Sequence, residues 1–346
     1  MNPSQIETNK FALLKYKAYN GLFNIGDYIQ SLAAKQFLPK VDILLNREEL
    51  DCYDGDYVKL IMNGWFLHEK EHWPPSEKII PFFISFHLNS TAYLILDKSN
   101  IIEYFKKYEP IGCRDYETSK RLFEKGIKTY FSGCLTLTLG MTYFSSIRND
   151  KVYFVDPYFE YKKDMLTFIN GVSTFLINSQ KIRIICSKLF SSKTLKNIIK
   201  SAIFYKQYSK IFDDDILVNS IYITHSLNEK QFPSEIDKFN HAEALLKIYS
   251  EAKLVITSRI HCALPCLGME TPVLYINNIN SNVTSTCRLK GILDLLNVIN
   301  YNKGKLEPID LDITKIRRGE GIQNKNNYKT LKNGLIARCR SFVNKS

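Results

Sequence analysis

Arg259 and His261 stand two positions apart where an apolar run ends, in TSRIHCALPCLG (257–268). The preceding KLVIT (253–257) is short and β-branched, as a buried parallel strand would be. The following stretch is small and apolar up to Gly268, and a second strand-like run, TPVLYI (271–276), comes after it. The pair is therefore expected where a strand gives way to a helix. Backbone N–H groups are unpaired at such a corner, and the helix dipole attracts negative charge. Two cation-forming side chains there oppose the dipole unless an anion lies between them. The chemistry this points to is capture of a small anion, with an imidazole placed to move a proton.

Other polar residues fall at similar corners. Arg114, in IGCRDYET, lies between a strand and a helix for which Asp115 is the expected cap. Arg288 and Lys290 follow a polar loop and open an expected helix, where cations call for a partner such as a phosphate. In NIGD (24–27), Asp27 reads either as the N-cap of a helix over 28–38 or as a base facing a cleft beside Asn24, and both readings stay open. Asn63 and Trp65 close a strand, His68 and His87 lie nearby, and His225 ends another. Aromatic and imidazole groups together suit stacking against a sugar, so these six, Asn24 included, are candidate contacts for an acceptor. No metal is expected. The histidine spacing fits no ligand motif, and the eight cysteines form no C-x-x-C pair, with Cys262 and Cys266 reading as packed thiols one helical turn apart. There is no Walker loop, G-x-G-x-x-G, G-x-S-x-G or H-E-x-x-H, which leaves P-loop kinases, α/β-hydrolases and zinc proteases unsupported.

The elements that must position these residues alternate along the chain. Strands are expected at 11–16, 41–45, 57–65 and 78–87, with helices at 28–38 and 116–126. The pattern restarts near residue 150 with a strand at 151–156 and helical segments around 161–178 and 191–210. Strand 220–225, helix 241–252, strands 253–257 and 271–276 and a helix over 286–298 follow. This predicts an α/β protein with two Rossmann-like domains and mostly parallel sheets: an N-terminal domain (1–150) on the acceptor side, a C-terminal domain (151–325) on the anion side, and a basic helix (326–346) crossing back to the first. Ligands of such sheets sit beyond the carboxyl ends of the strands, so the corners converge on a central cleft.

Composition narrows the class. With 346 residues, 45% hydrophobic and 24% charged, the chain is long enough for two globular domains. MNPSQIETNK lacks signal-peptide features and no apolar run reaches the length of a membrane span, so a cytoplasmic protein is expected. The net charge is +12, and residues 301–346 hold 11 Lys/Arg against 4 Asp/Glu. No nucleic-acid motif accompanies that basic tail. An anionic membrane surface is the expected partner for it, with peripheral binding on the inner face of the cytoplasmic membrane.

NIGDYIQSLAAKQFL, NGWF, PIGCRDYETSKRLFEKGIKTYFSGCLTLTL and LVITSRIHCALPCLGMETPVLYI together resemble the polysaccharide pyruvyl transferases, over about residues 11 to 298. The resemblance implies two facing domains like those of B-type glycosyltransferases. It also implies transfer of the enolpyruvyl unit of phosphoenolpyruvate onto two hydroxyls of one sugar, forming a cyclic ketal in capsule or exopolysaccharide synthesis. By motif, Arg259 and His261 become the phosphoenolpyruvate site with His261 the general acid, Arg114 a ligand of its carboxylate or phosphate, and Arg288 or Lys290 a further cation. Asp27 is the candidate base. No cofactor is implied beyond the co-substrate. The acceptor the resemblance implies is a galactose-type sugar or an N-acetylhexosamine, ketalised at 4,6 or 3,4, and the basic tail suits one carried on undecaprenyl pyrophosphate. Two alternatives remain at this stage: a glycosyltransferase of the same architecture using a nucleotide-sugar, and a non-catalytic membrane-surface component of a polysaccharide assembly complex.

Overall fold

A computed structural model of the chain describes residues 8–282, 286–309 and 315–345. Strands β1 (Phe11–Lys15), β3 (Ile43–Asn46), β4 (Val58–Phe66), β5 (Ile79–Leu88), β6 (Ile111–Cys113) and β7 (Thr129–Phe131) form one sheet in the order 3-1-4-5-6-7, parallel throughout. Strands β8 (Val152–Val155), β9 (Ile221–Ile223), β11 (Leu254–Thr257), β12 (Val273–Asn278), β13 (Asn297–Asn302) and β14 (Lys305–Pro308) form a second, in the order 14-13-12-11-8-9. Only the β13–β14 pair in it is antiparallel. The protein is thus of the α/β class with parallel sheets, as the alternating pattern predicts. A two-stranded antiparallel ribbon, β2 (Leu22–Asn24) against β10 (Ser226–Asn228), ties the halves together.

In the second sheet the chain runs from β8 to β9 on one side and returns with β11 on the other. Its topological switch point therefore lies between β8 and β11, whose carboxyl ends carry Asp156 and Arg259. A crevice opens at such a point because the connections leave in opposite directions. In the first sheet the corresponding point lies between β1 and β4, and β4 ends at Trp65 and Phe66. A register shift between Met62 and Gly64 interrupts the β4–β5 ladder there, with Gly64 at φ 141, a conformation open to glycine and not to a side chain.

The helices are α1 (Ile25–Lys35), α2 (Ser99–Lys107), α3 (Tyr116–Phe123), α4 (Gly140–Tyr143), α5 (Met165–Leu189), α6 (Leu195–Tyr208), α7 (Asp214–Asn219), α8 (Glu235–Ser250), α9 (Ile260–Gly268) and α10 (Tyr328–Asn344). Two expectations are corrected. First, Asp27 is not a cap: α1 begins three residues earlier, the Asn24 side chain accepts from Gly26 N–H, and Asp27 lies in the first turn. Second, no helix spans 286–298. Gly291 at φ 85 breaks it, a 3₁₀ turn covers Leu293–Leu295, and Asn297 onward is drawn into β13 by pairing with β12. The helix expected at 161–178 extends to Leu189, with non-helical backbone at Asn178.

Helix α10 lies against the first sheet's side of the molecule. Phe342 stacks on Phe82 at 4.9 Å, Arg338 covers the Tyr130 ring at 4.3 Å, and Leu335 and Cys339 are buried. Gly268 ends α9 as predicted, but close approach explains the glycine: a Cβ there would overlap the Leu137 carbonyl of the first half. The residue with positive φ at that turn is Glu270.

Candidate active site

The Arg259–His261 corner forms as the spacing predicts. β11 ends at Thr257, whose Oγ1 donates to Val155 O and accepts from Arg259 N–H, and α9 starts at Ile260. Asp156, at the matching end of β8, orients the arginine: Arg259 Nε donates to Asp156 Oδ2 at 2.7 Å, and His225 N–H donates to the same oxygen at 3.0 Å. The Arg259 side chain is still 42% exposed, so its remaining guanidinium nitrogens can face a ligand. Asp156 was missed in the sequence, although VDP (155–157) marks a strand end by the same signal that singles out Arg259.

From the first half comes Arg114, which directly follows β6 and is fully buried. Its Nη1 donates to His261 Nε2 at 3.4 Å, while Nε and Nη2 have no partner among the described residues. A guanidinium cannot accept, so this contact requires a lone pair on His261 Nε2, and the imidazole is neutral. Burial drives the His261 pKa well below its ordinary value, with Arg114, Arg288, His225 and His87 adding repulsion. Burial likewise lowers Arg114. Asp115 and Asp27 offset part of the cost of that buried charge, and the two nitrogens left without a partner among the described residues are open to an anion.

The cluster continues around these two. Arg288 lies over the Trp65 ring at 5.1 Å, with its Nε buried and unpartnered among the described residues. Trp65 in turn contacts His68 (4.6 Å between centroids) and His87 (5.6 Å). His87 Nδ1 is 2.6 Å from Asp115 Oδ2, so Nδ1 donates and Nε2 carries a lone pair that no described residue meets. Burial and then Arg114 push His87 down to about 4, against the pull of Asp115. Asp115 is thus both the α3 cap, accepting from Thr118 N–H, and the orienting group for His87, a second role the sequence did not reveal. His68 is also depressed to about 4, first by burial and then by Arg47. His225 Nε2 meets Tyr249 Oη at 2.9 Å, leaving Nδ1 unpartnered among the described residues.

Asp27 belongs to this neighbourhood. Gln30 donates to its Oδ1 at 3.0 Å, and Arg47 Nη1 stands 3.9 Å away. Burial raises its pKa against the opposing fields of Arg47, Arg114 and Arg288. Arg47, just past the end of β3, is another cation the sequence reading passed over.

Two candidates lie outside the cluster. Lys290 is engaged by Glu117 Oε2 at 2.7 Å, because the chain turns at Gly291 instead of continuing as a helix. Asn63 donates its buried amide to Gln30 O at 2.8 Å and holds α1 against β4. His72, the remaining histidine of that region, pairs with Asp51 at the surface.

A cleft of about 410 Å³ opens beside the cluster, lined by Asp156, Ser258, Arg259, Tyr275, Asn277 and Arg288 among others. A smaller space of about 30 Å³ lies directly at His261, between Asn24 of the first half and His225, Arg259 and Arg288 of the second. Arg259, Arg288, His225 and His261 therefore line one small space, Arg114 reaches His261 from behind it, and His87 and Asp27 stand in the same neighbourhood as further proton-exchanging groups.

A solved structure of a functionally uncharacterized protein from Klebsiella pneumoniae subsp. pneumoniae NTUH-K2044 is similar at 12% identity, with a TM-score of 0.42 over 81% of this chain and 87% of that one. Among curated proteins none matches. The family model described as polysaccharide pyruvyl transferase matches residues 24–281, a span that runs from the α1 cap through Arg114 and the Arg259–His261 corner to Ser281 of the cleft and stops short of Arg288. The chain belongs to the polysaccharide pyruvyl transferase family, transferases that act in polysaccharide biosynthesis.

Proposed function

We propose that the donor is phosphoenolpyruvate and that the reaction builds a cyclic pyruvate ketal on a sugar. The observation that carries this is the buried Arg114, with two unpartnered nitrogens, converging with Arg259 and Arg288 on a neutral His261. Phosphoenolpyruvate brings roughly three negative charges on a small frame, which matches that surplus of cation.

In this scheme Arg114, Arg259 and Arg288 hold the carboxylate and phosphate. His261 gives a proton to the methylene carbon, the C=C π pair forms the new C–H bond, and the adjacent carbon becomes cationic. One sugar hydroxyl attacks that carbon and loses its proton. A second hydroxyl then displaces phosphate, and its proton leaves with the phosphate or a base. Two groups are placed to accept hydroxyl protons: Asp27, with its raised pKa, and His87 Nε2, oriented through Nδ1 by Asp115. Trp65 and His68 flank that side as acceptor contacts. The 30 Å³ at His261 holds about one water, and the 410 Å³ cleft that shares Arg259 and Arg288 with it gives the donor its room.

A thermal shift titration tests the donor. Phosphoenolpyruvate is expected to stabilise the protein by about 2.7 kcal/mol at about a hundred times its Kd. The shift should vanish in Arg259→Ala and be absent with UDP- or GDP-sugars. A shift with a nucleotide-sugar alone would replace this reading with a glycosyltransferase, and a vesicle-binding protein responsive to neither would be a non-catalytic component.

Proton linkage tests His261. Its pKa in the empty site lies well below 6.5, and a bound polyanion raises it, so binding takes up a proton. The imidazole's share of the affinity should then be fully present below its pKa in the empty site, decline by up to about tenfold per unit as pH rises toward its pKa in the complex, and be gone above that. Calorimetry in two buffers of different ionisation enthalpy reads the uptake. The part lost in His261→Gln belongs to the imidazole and the rest to the ligand phosphate. Identical uptake in both proteins would remove His261 as the acid.

A further inference from the structure

We propose that the outward face of the first half of α5, with the lysines around its start, docks on an anionic phospholipid bilayer. Among the described residues no helix is long and apolar enough to cross a membrane, so such contact is confined to the surface. Six large apolar side chains, Met165, Leu166, Phe168, Ile169, Leu176 and Ile177, are exposed on this helix, with Met165 at 74% and Ile177 at 82%. At about 100° per residue all but Phe168, which is also the least exposed of the six, fall on the half of the helix opposite Gly171. Gly171 is the buried residue of this segment, and a Cβ on it would overlap Ile199 of α6, so the close crossing of α5 on α6 fixes which face is left bare. The second half of α5 behaves differently: Ile182, Ile185 and Cys186 are buried there. An apolar stripe about 18 Å long, left largely uncovered by the described residues, marks an interaction surface.

Charge identifies the partner. The start of α5 opens on a cavity of about 330 Å³ that contains Leu166 and four lysines, Lys162, Lys206, Lys210 and Lys303, against two acids, Glu160 and Asp164. Asp164 is already used as the helix cap, accepting from Thr167 N–H at 2.7 Å. Aliphatic side chains beside a surplus of lysines suit acyl chains below anionic headgroups. The C-terminal helix, where the sequence placed this role, is less free: Arg338 rests on Tyr130 and Lys332 Nζ donates to Gly268 O.

The face also adjoins the cleft. Asp156 ends β8, Tyr158 and Phe159 line the cleft, Glu160 and Lys162 line the lysine cavity, and α5 begins at Met165. Docking there would present the cleft to an acceptor held at the bilayer; that clause rests on the proposed function, whereas the docking itself does not.

Co-sedimentation of the full chain with vesicles of phosphatidylcholine and phosphatidylglycerol, against phosphatidylcholine alone, tests this without any substrate. Wild type should bind the anionic vesicles, and Leu176→Glu with Ile177→Glu, or Lys162→Glu with Lys210→Glu, should each weaken binding by about tenfold or more while the melting temperature holds. Lys329→Glu with Arg340→Glu should bind as wild type. Absence of vesicle binding in wild type, or loss in the tail variant alone, would overturn the proposal. So would a dimer that the Leu176/Ile177 variant converts to monomer without vesicle binding, since the face would then serve self-association.

Discussion

His261→Gln is expected to keep the fold while lowering turnover by about a thousandfold, within the range that loss of a general acid produces. The fold should survive because His261 sits in the first turn of α9 and, among the described residues, its side chain's hydrogen bond is the 3.4 Å contact from Arg114. A glutamine carbonyl can accept that bond in place of Nε2. The three arginines that bring charge to the site are untouched, so the larger effect should fall on kcat, and KM should rise only by the proton-linked part of the affinity that the imidazole supplies. Phosphate release followed by phosphorus NMR, with deuterium incorporation into the product methyl group in heavy water, reads the missing proton transfer directly. Turnover at the wild-type rate would dismiss the assignment.

Arg114→Met is expected to separate the fold from the ligand site. In the empty protein it removes a buried cation with two unpartnered nitrogens and replaces it with an apolar chain of similar reach. Relief of that burial is offset by the counter-charge that the buried Asp115 loses, so the melting temperature should change little. Donor affinity, by contrast, should fall by at least about a hundredfold, because the ligand loses a desolvated cation. A third readout separates an electrostatic role from a packing one. After burial itself, the charge of Arg114 does most to depress both His261 and His87, so both imidazoles should titrate higher in the variant. Thermal melts with and without phosphoenolpyruvate, and histidine resonances followed against pH, measure all three. A large drop in stability of the empty protein would show that Arg114 holds the fold and not the ligand.

Much of the candidate site was legible because its signals are local. Arg114, Arg259 and His261 each follow an apolar run short enough to be a strand, and in parallel sheets the residues just past a strand's end face the ligand crevice. Asn24 and Asp27 were visible as a helix start, although which of them caps it depended on where α1 begins, a matter of a few residues that the Asn24 side chain decides. The alternation of segments likewise foretold two parallel sheets.

What the sequence could not determine is set by contacts between distant segments. Asp156 meets Arg259 across 103 positions, and Arg114 meets His261 across 147; neither pairing leaves a mark in local spacing. Lys290 and Arg288, two residues apart, have opposite fates because Gly291 turns the chain and Glu117 of α3 captures the lysine. Residues 286–298 carry apolar spacing suited to a helix, yet pairing along β12 outweighs it and Asn297–Asn302 become a strand. The apolar residues of α5 show the same limit from the other side. Their sequence, MLTFINGVSTFLIN, reads as core, and whether an apolar face is buried or bare depends on which neighbour the fold brings to it. Here α6 covers the Gly171 side, and the described residues leave the opposite one largely uncovered.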